Sequence, residues 1–213
     1  NISLTAEQAG QCLDELGIAF CFAPLIHGAM KYAAPVRKQL GFPTIFNLLG
    51  PLTNPAAAEF QILGASSIER AELLASALSR LKIVRAFVVC GNNELDEVSL
   101  WGKTTVFEVQ PDSVSRTEWT AADFGLAQCK VQSLRVTSAA ESAAVILNLL
   151  KNTPGPALDM VLANTAAALL VSGQVDFLQS GVAVARISIR DGKSLALLEA
   201  LKQKTCSVLE RNP

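Results

Sequence analysis

The chain has 213 residues, half of them hydrophobic and only 17% charged, with a formal net charge of −1. That balance gives no basic footprint for nucleic acid. The longest apolar runs fall short of the roughly 18 residues a membrane span needs, and the N-terminus lacks the basic-then-apolar pattern of a signal peptide. A chain of this length can bury a substantial core, so one domain plus a small appendage is expected. The five cysteines, at positions 12, 21, 90, 129 and 206, are scattered and show no metal-ligand spacing. Free thiols in a reducing interior, cytosolic or organellar, follow from that.

Thr5-Ala6-Glu7-Gln8 is a capping box, and a helix should run from it to Gly17. Ile18 to Phe22 is short and apolar, and Ala29 to Leu40 reads as helical with a break near Pro35. From Pro35 to Pro55 the sequence is PVRKQLGFPTIFNLLGPLTNP, in which Pro43, Gly50, Pro51, Asn54 and Pro55 forbid a long helix or a central strand. Ile45, Phe46, Leu48, Leu49 and Leu52 are too apolar for a solvated linker. A rigid, partly buried loop satisfies both constraints, and binding residues are commonly carried on such loops.

Glu59 to Ala65 reads as a strand, closed by a nearby glycine. Ser66-Ser67-Ile68-Glu69 is a second capping box, after which Ala71, Leu74, Ala75, Leu78 and Leu81 recur at helical spacing. Arg85 to Cys90 is an apolar run of the kind buried on both faces of a sheet. Strand, capped helix and buried strand form a βαβ unit, and the core is therefore α/β. Beyond it, Thr104 to Val109 alternates as a strand, Gln110 to Glu118 is a polar connection, and Thr120 to Phe124 forms one helical turn. Ser138 caps a helix to Leu150, which Asn152-Thr153-Pro154-Gly155-Pro156 terminates. Ala157 to Ser172 is helical, and Val175 to Gln179 is a shorter helix before Gly181. Val182 to Arg190 alternates with period two, which by itself reads as a strand.

Asp96 and Glu97 follow the buried strand and the turn Gly91-Asn92-Asn93, which places them at the strand's carboxyl end, where open α/β sheets bind ligands. Held in a loop, both carboxylates can converge on one hard cation. The spacing alone favours a pair of solvated loop acids. Arg37 has the planar fork that grips a carboxylate through two hydrogen bonds, although an arginine in a basic run is most often solvated. His27, the only histidine, has no adjacent base or nucleophile.

Four segments together resemble anthranilate phosphoribosyltransferase. They are Phe22-Ala23-Pro24 with His27-x-Ala29-Met30-Lys31; Arg37-x-x-x-Gly41 with Thr44 to Pro55; Leu95-Asp96-Glu97-Val98-Ser99; and Asn164-Thr165-Ala166-Ala167-Ala168-Leu169. The resemblance covers nearly the whole chain but only the later part of the family's, and no match exists here for the family's N-terminal helical segment and glycine-rich phosphate loop. A C-terminal fragment, inactive alone, is the corresponding expectation. The implied fold is a nucleoside phosphorylase/phosphoribosyltransferase-like α/β domain, with a mostly parallel sheet flanked by helices, over residues 56–213. Residues 1–55 would be the remainder of a small all-α domain with the substrate loop. Val182 to Arg190 would then be a helix, followed by another from about Lys193 to Lys204.

The resemblance also implies the chemistry: transfer of a 5-phosphoribosyl group from phosphoribosyl diphosphate to the amine of anthranilate, in tryptophan biosynthesis. Asp96 and Glu97 would hold Mg²⁺ on the diphosphate, Arg37 would meet the anthranilate carboxylate, and His27 and Pro51 would line the substrate pocket. Asn47 and Gly50 would be scaffold, with Pro51 part of the same loop, and Asn164 would support helix packing. Positioning and charge stabilisation, without a covalent intermediate, would suffice. A homodimer and a cytoplasmic location are expected, organellar targeting remaining open, with no nucleic-acid or membrane partner. The chain departs from the family at Gly28, where proline is usual, at Ile26, where an aromatic residue or histidine is usual, and at Cys90, where histidine is common. Two rival readings are a pyrimidine nucleoside phosphorylase-like enzyme and a non-enzymatic nucleic-acid-binding relative; the acidic balance argues against the second.

Overall fold

A computed structural model describes residues 1–26, 28, 39, 41 and 46–210. The chain divides into two compact units, one drawn from Asn1–Pro55 and Lys193–Pro213, the other from Ala56–Gly192. The sequence reading places 193–213 in the α/β part. The C-terminal helix groups instead with the N-terminal segment, because its side chains find their partners there.

In the first unit, α1 (Ala6–Leu16) begins at the expected capping box. The Thr5 amide donates to Gln8 Oε1 at 2.9 Å, and the Gln8 amide donates to Thr5 Oγ1 at 3.2 Å. Gly17, with φ 74°, closes the helix in the left-handed conformation that glycine adopts without strain. Among the described residues two short helices have full bounds, α2 (Ala23–Ile26) and α3 (Phe46–Leu52). A helix of fewer than two full turns thus lies within the rigid loop expected over Pro35 to Pro55, and Pro51 lies in its last turn, exposed. Thr53 ends α3 by donating its hydroxyl to Leu49 O at 3.0 Å. His27, Arg37 and, apart from Gln39, the predicted helix over Ala29 to Leu40 lie outside the described residues. Helix α8 (Lys193–Glu210) packs on α1, where Lys204 Nζ meets Glu15 Oε1 at 2.6 Å and Asn1 Nδ2 donates to Thr205 O at 3.3 Å.

The second unit is built on a sheet whose strands, among the described residues, run in the order β1 (Phe60–Gly64), β2 (Arg85–Gly91), β3 (Thr104–Gln110), β4 (Ser113–Trp119). Helix α4 (Ile68–Arg80) makes the crossover between the parallel strands β1 and β2, as the βαβ pattern requires. Its cap is Ser67, whose Oγ accepts from the Arg70 amide at 3.3 Å, one residue later than the box read from the sequence. The pairings β2–β3 and β3–β4 are antiparallel, so the described sheet is not mostly parallel. These strands are joined locally, without crossover helices, and local links return the chain antiparallel. Most of the polar connection expected over Gln110 to Glu118 is instead strand β4, reversed from β3 through Pro111 and a left-handed Asp112 with φ 60°.

The remaining helices are α5 (Ala139–Leu150), α6 (Pro156–Val171) and α7 (Leu178–Arg190). The conflict over 182–190 resolves as helix, and α7 starts within the stretch read as a separate short helix before Gly181. Phe87 and Val89 of β2 join Val106, Trp119 and Phe124 in one cluster with residues of α6 and α7. Phe87 and Trp119 meet edge to face at 5.2 Å, as do Trp119 and Phe124 at 5.8 Å. Ala86, Val88 and Cys90 alternate to the other face of the sheet, and α4 packs on β2 and β3. Where α6 and α7 cross, Gly181 lets the backbones approach: a Cβ there would lie 2.8 Å from Ala166 Cα.

Candidate functional site

The acidic pair sits where the strand reading places it, in the loop leaving the carboxyl end of β2. The loop opens with a tight reversal. Asn92 and Asn93 have φ of 49° and 53°, left-handed values that asparagine tolerates better than most residues. The reversal is closed by paired bonds of 2.8 Å between the amide and carbonyl groups of Gly91 and Leu95. Asn93 also accepts from the Ile68 amide at 2.9 Å, tying the turn to the first turn of α4.

Asp96 and Glu97 are both exposed, while the next three residues, Val98, Ser99 and Leu100, are completely buried. The buried end is fastened by polar groups. The Ser99 amide donates to Thr104 Oγ1 at 2.9 Å, and Ser99 Oγ donates to Trp101 O at 2.6 Å. The Val98 amide donates to Asn164 Oδ1 at 2.9 Å, and Asn164 Nδ2 donates back to Val98 O at 3.2 Å. The two strand ends beneath the loop are glycines for a steric reason. A Cβ on Gly64 would lie 1.6 Å from Asp96 O, and one on Gly91 would lie 2.7 Å from Glu97 O.

Neither Asp96 nor Glu97 forms an ion pair among the described residues. Desolvation of the Glu97 carboxyl, and secondly the negative charge of Asp96, push its pKa above the usual carboxylate value. Burial also pushes up the Cys90 thiol at the end of β2, with the charges of Glu69 and Asp96 adding to the effect. Among the described residues, the carboxyl end of β2 is therefore a negative patch without an ion-pair partner, made of hard oxygen donors, which suits Mg²⁺. Among the described residues no group of three or more His, Cys, Asp or Glu gathers as a metal cage. Two carboxylates fit an ion that takes its remaining ligands from phosphate oxygens and water.

Of the other sequence-derived candidates, Pro51 is exposed on α3 in the first unit, while Arg37 and His27 fall outside the described residues. Asn164 is the residue that sequence reasoning understates: it binds the acidic loop as well as its own helix. The signal for it was an amide inside the apolar run of α6, since a polar group in such a run needs a partner.

Residues 1–195 match the glycosyl transferase family, a/b domain. The chain belongs to that family. Among family relatives, the anthranilate phosphoribosyltransferase of Desulforamulus reducens is 43% identical over 210 residues, covering 99% of this chain and 61% of its own length. The solved anthranilate phosphoribosyltransferase of Thermus thermophilus is 36% identical with a TM-score of 0.88, covering 96% of this chain and 60% of that one. The enzyme from Saccharomyces cerevisiae in complex with PRPP and Mg is 29% identical with a TM-score of 0.89, over 96% of this chain and 59% of its own. The chain thus spans about 60% of the length of the glycosyl transferase relatives it matches. No helix among the described residues is long and apolar enough to cross a membrane.

Proposed function

We propose that this chain carries the metal-side and anthranilate-side residues of a phosphoribosyltransferase. The reaction joins the anthranilate amine to C1 of a 5-phosphoribosyl group, with loss of diphosphate, as a step of tryptophan biosynthesis. The observation that carries the reading is the exposed pair Asp96–Glu97, held on an immobilised loop at the carboxyl end of β2. The names and bound molecules of the relatives support it. The protein works in the cytoplasm as a homodimer in this reading.

Asp96 and Glu97 supply the protein's oxygen ligands to Mg²⁺. When bound, the ion neutralises the departing diphosphate and serves as its template. Arg37 takes the anthranilate carboxylate through two parallel hydrogen bonds, which fixes the direction in which the amine points. His27 and Pro51 line the same pocket. The ring carbon develops oxocarbenium character as diphosphate leaves, so preorganised charge and near-attack placement supply the rate. No side chain needs to form a bond to the sugar.

Calorimetric titration tests the reading. Magnesium diphosphate and anthranilate should each give saturable binding, whereas uridine and single-stranded DNA should give none. Asp96→Ala combined with Glu97→Ala should abolish the magnesium diphosphate isotherm, and because both side chains are exposed the fold should survive. Retained binding in that double variant would overturn the metal assignment, and uridine binding would point to a nucleoside phosphorylase.

A further inference from the structure

The backbone of the acidic loop is confined at three successive residues, each from a different element. At Asp96 the carbonyl oxygen occupies the space a Cβ on Gly64 of β1 would need. At Glu97 the carbonyl oxygen lies against Gly91 of β2. At Val98 the amide and the carbonyl are both taken by one side chain, Asn164 of α6, at 2.9 and 3.2 Å. The glycines only make room. Asn164 alone among the three exerts a directed hold, and it sits at the step from exposed Glu97 to buried Val98.

The geometry points to Asn164 as a positioning residue for the two carboxylates, acting through the Val98 peptide; this rests on the reading that Asp96 and Glu97 face a magnesium-bound diphosphate. A single hydrogen bond leaves the backbone free to pivot, whereas bonds to both N–H and C=O of one residue hold the two peptide units that flank it. The amide cannot turn over, because Nδ2 also donates to Met160 O at 3.0 Å, one turn back along α6. A flipped side chain would set Oδ1 against two carbonyl oxygens. The hold matters because adjacent carboxylates repel and, unheld, the loop would relax to part them. Keeping them together before the cation arrives removes that ordering cost from binding. Partners of this kind, one step removed from a metal, change its affinity by about 10–100-fold when lost.

The experiment uses the full chain and magnesium diphosphate as the probe, with calorimetry for affinity and amide hydrogen exchange for the loop. Asn164→Leu keeps the branch at Cγ and removes all three hydrogen bonds. It should weaken magnesium diphosphate by on the order of tenfold and speed exchange at Val98 while the amides of β2 stay protected. Asn164→Asp retains an acceptor for the Val98 amide but opposes two carbonyls, so its affinity should also fall. Asp96→Asn and Glu97→Gln run in parallel. If they weaken binding while both Asn164 variants bind as the parent does, the positioning role is overturned and the metal reading stands. If neither acid variant weakens binding, the metal reading fails and the positioning role fails with it. Should the Asn164 variants not fold, the parent chain decides: without ligand, Val98 must exchange as slowly as β2, and open-loop exchange there overturns the proposal.

Discussion

Glu97 weakens the fold whenever it is ionised, because its pKa in the folded chain lies above the ordinary carboxylate value. The unfolded chain loses this proton at lower pH than the folded one. Between the two pKa values the folded state therefore binds more protons, and its stability falls as pH rises through that window. Glu97→Gln should raise the melting temperature of the metal-free chain at neutral pH, and the difference should vanish below the unfolded pKa; thermal melts across roughly pH 3–8 with a chelator present would show it. Added magnesium should shrink the gap by stabilising the parent more than the variant. Arg37→Lys keeps the charge but loses the planar fork, so anthranilate affinity should drop by roughly 1.5–3 kcal/mol; an unchanged isotherm would remove Arg37 from the site. The position of Asp96 and Glu97 at the carboxyl end of β2 was readable from a strand, a turn and two acids in that order, whereas their metal role came from the family resemblance alone. Asn164 was not readable as their partner, since 66 residues separate it from Val98 and no local pattern records a contact across that distance.

Helices α6 and α7 touch where a side chain would not fit. Gly181→Ala would gain roughly 0.5–1 kcal/mol in helix propensity. Against that, its Cβ would stand 2.8 Å from Ala166 Cα and 2.9 Å from Ala166 Cβ, and such overpacking costs about 1–3 kcal/mol. The clash wins, so urea midpoints should fall despite the better helix former. Arg85 ties β2 to its surroundings: Nε meets Glu108 Oε1 of β3 at 2.7 Å, and Nη1 donates to Leu170 O near the end of α6 at 2.9 Å. Arg85→Ala should cost about 1.5–3 kcal/mol, seen as a lower denaturation midpoint with an unchanged slope. The elements that sequence alone hides are intelligible in the same terms. Strand β4 buries only Trp119; an edge strand dressed with Arg116 and Glu118 carries no apolar signal. Helix α7 contains a stretch of period-two alternation by coincidence, and its buried residues Leu178, Gly181, Val182, Ala185 and Ile189 follow helical spacing instead.

At the level of the units, the α/β part was legible because βαβ spacing is local. The membership of 193–213 was not, because the contacts of α8 with α1 span nearly the whole chain: Lys204 and Glu15 are 189 positions apart. Removing residues 193–210 should therefore expose Leu4, Ala9 and Cys12, all buried in the intact chain, and leave protection in β2 and β3 unchanged. Hydrogen exchange on the truncated protein would check both parts. The same arrangement has a consequence during translation. A ribosome delivers residues 56–192 as one uninterrupted stretch, whose strands and helices can close on themselves as they emerge. Helix α1, synthesised before that stretch, must wait for α8, synthesised after it. At roughly 5–20 residues per second, that leaves α1 without its partner for about ten to forty seconds, a window in which a nascent-chain chaperone has more to protect than in the α/β part.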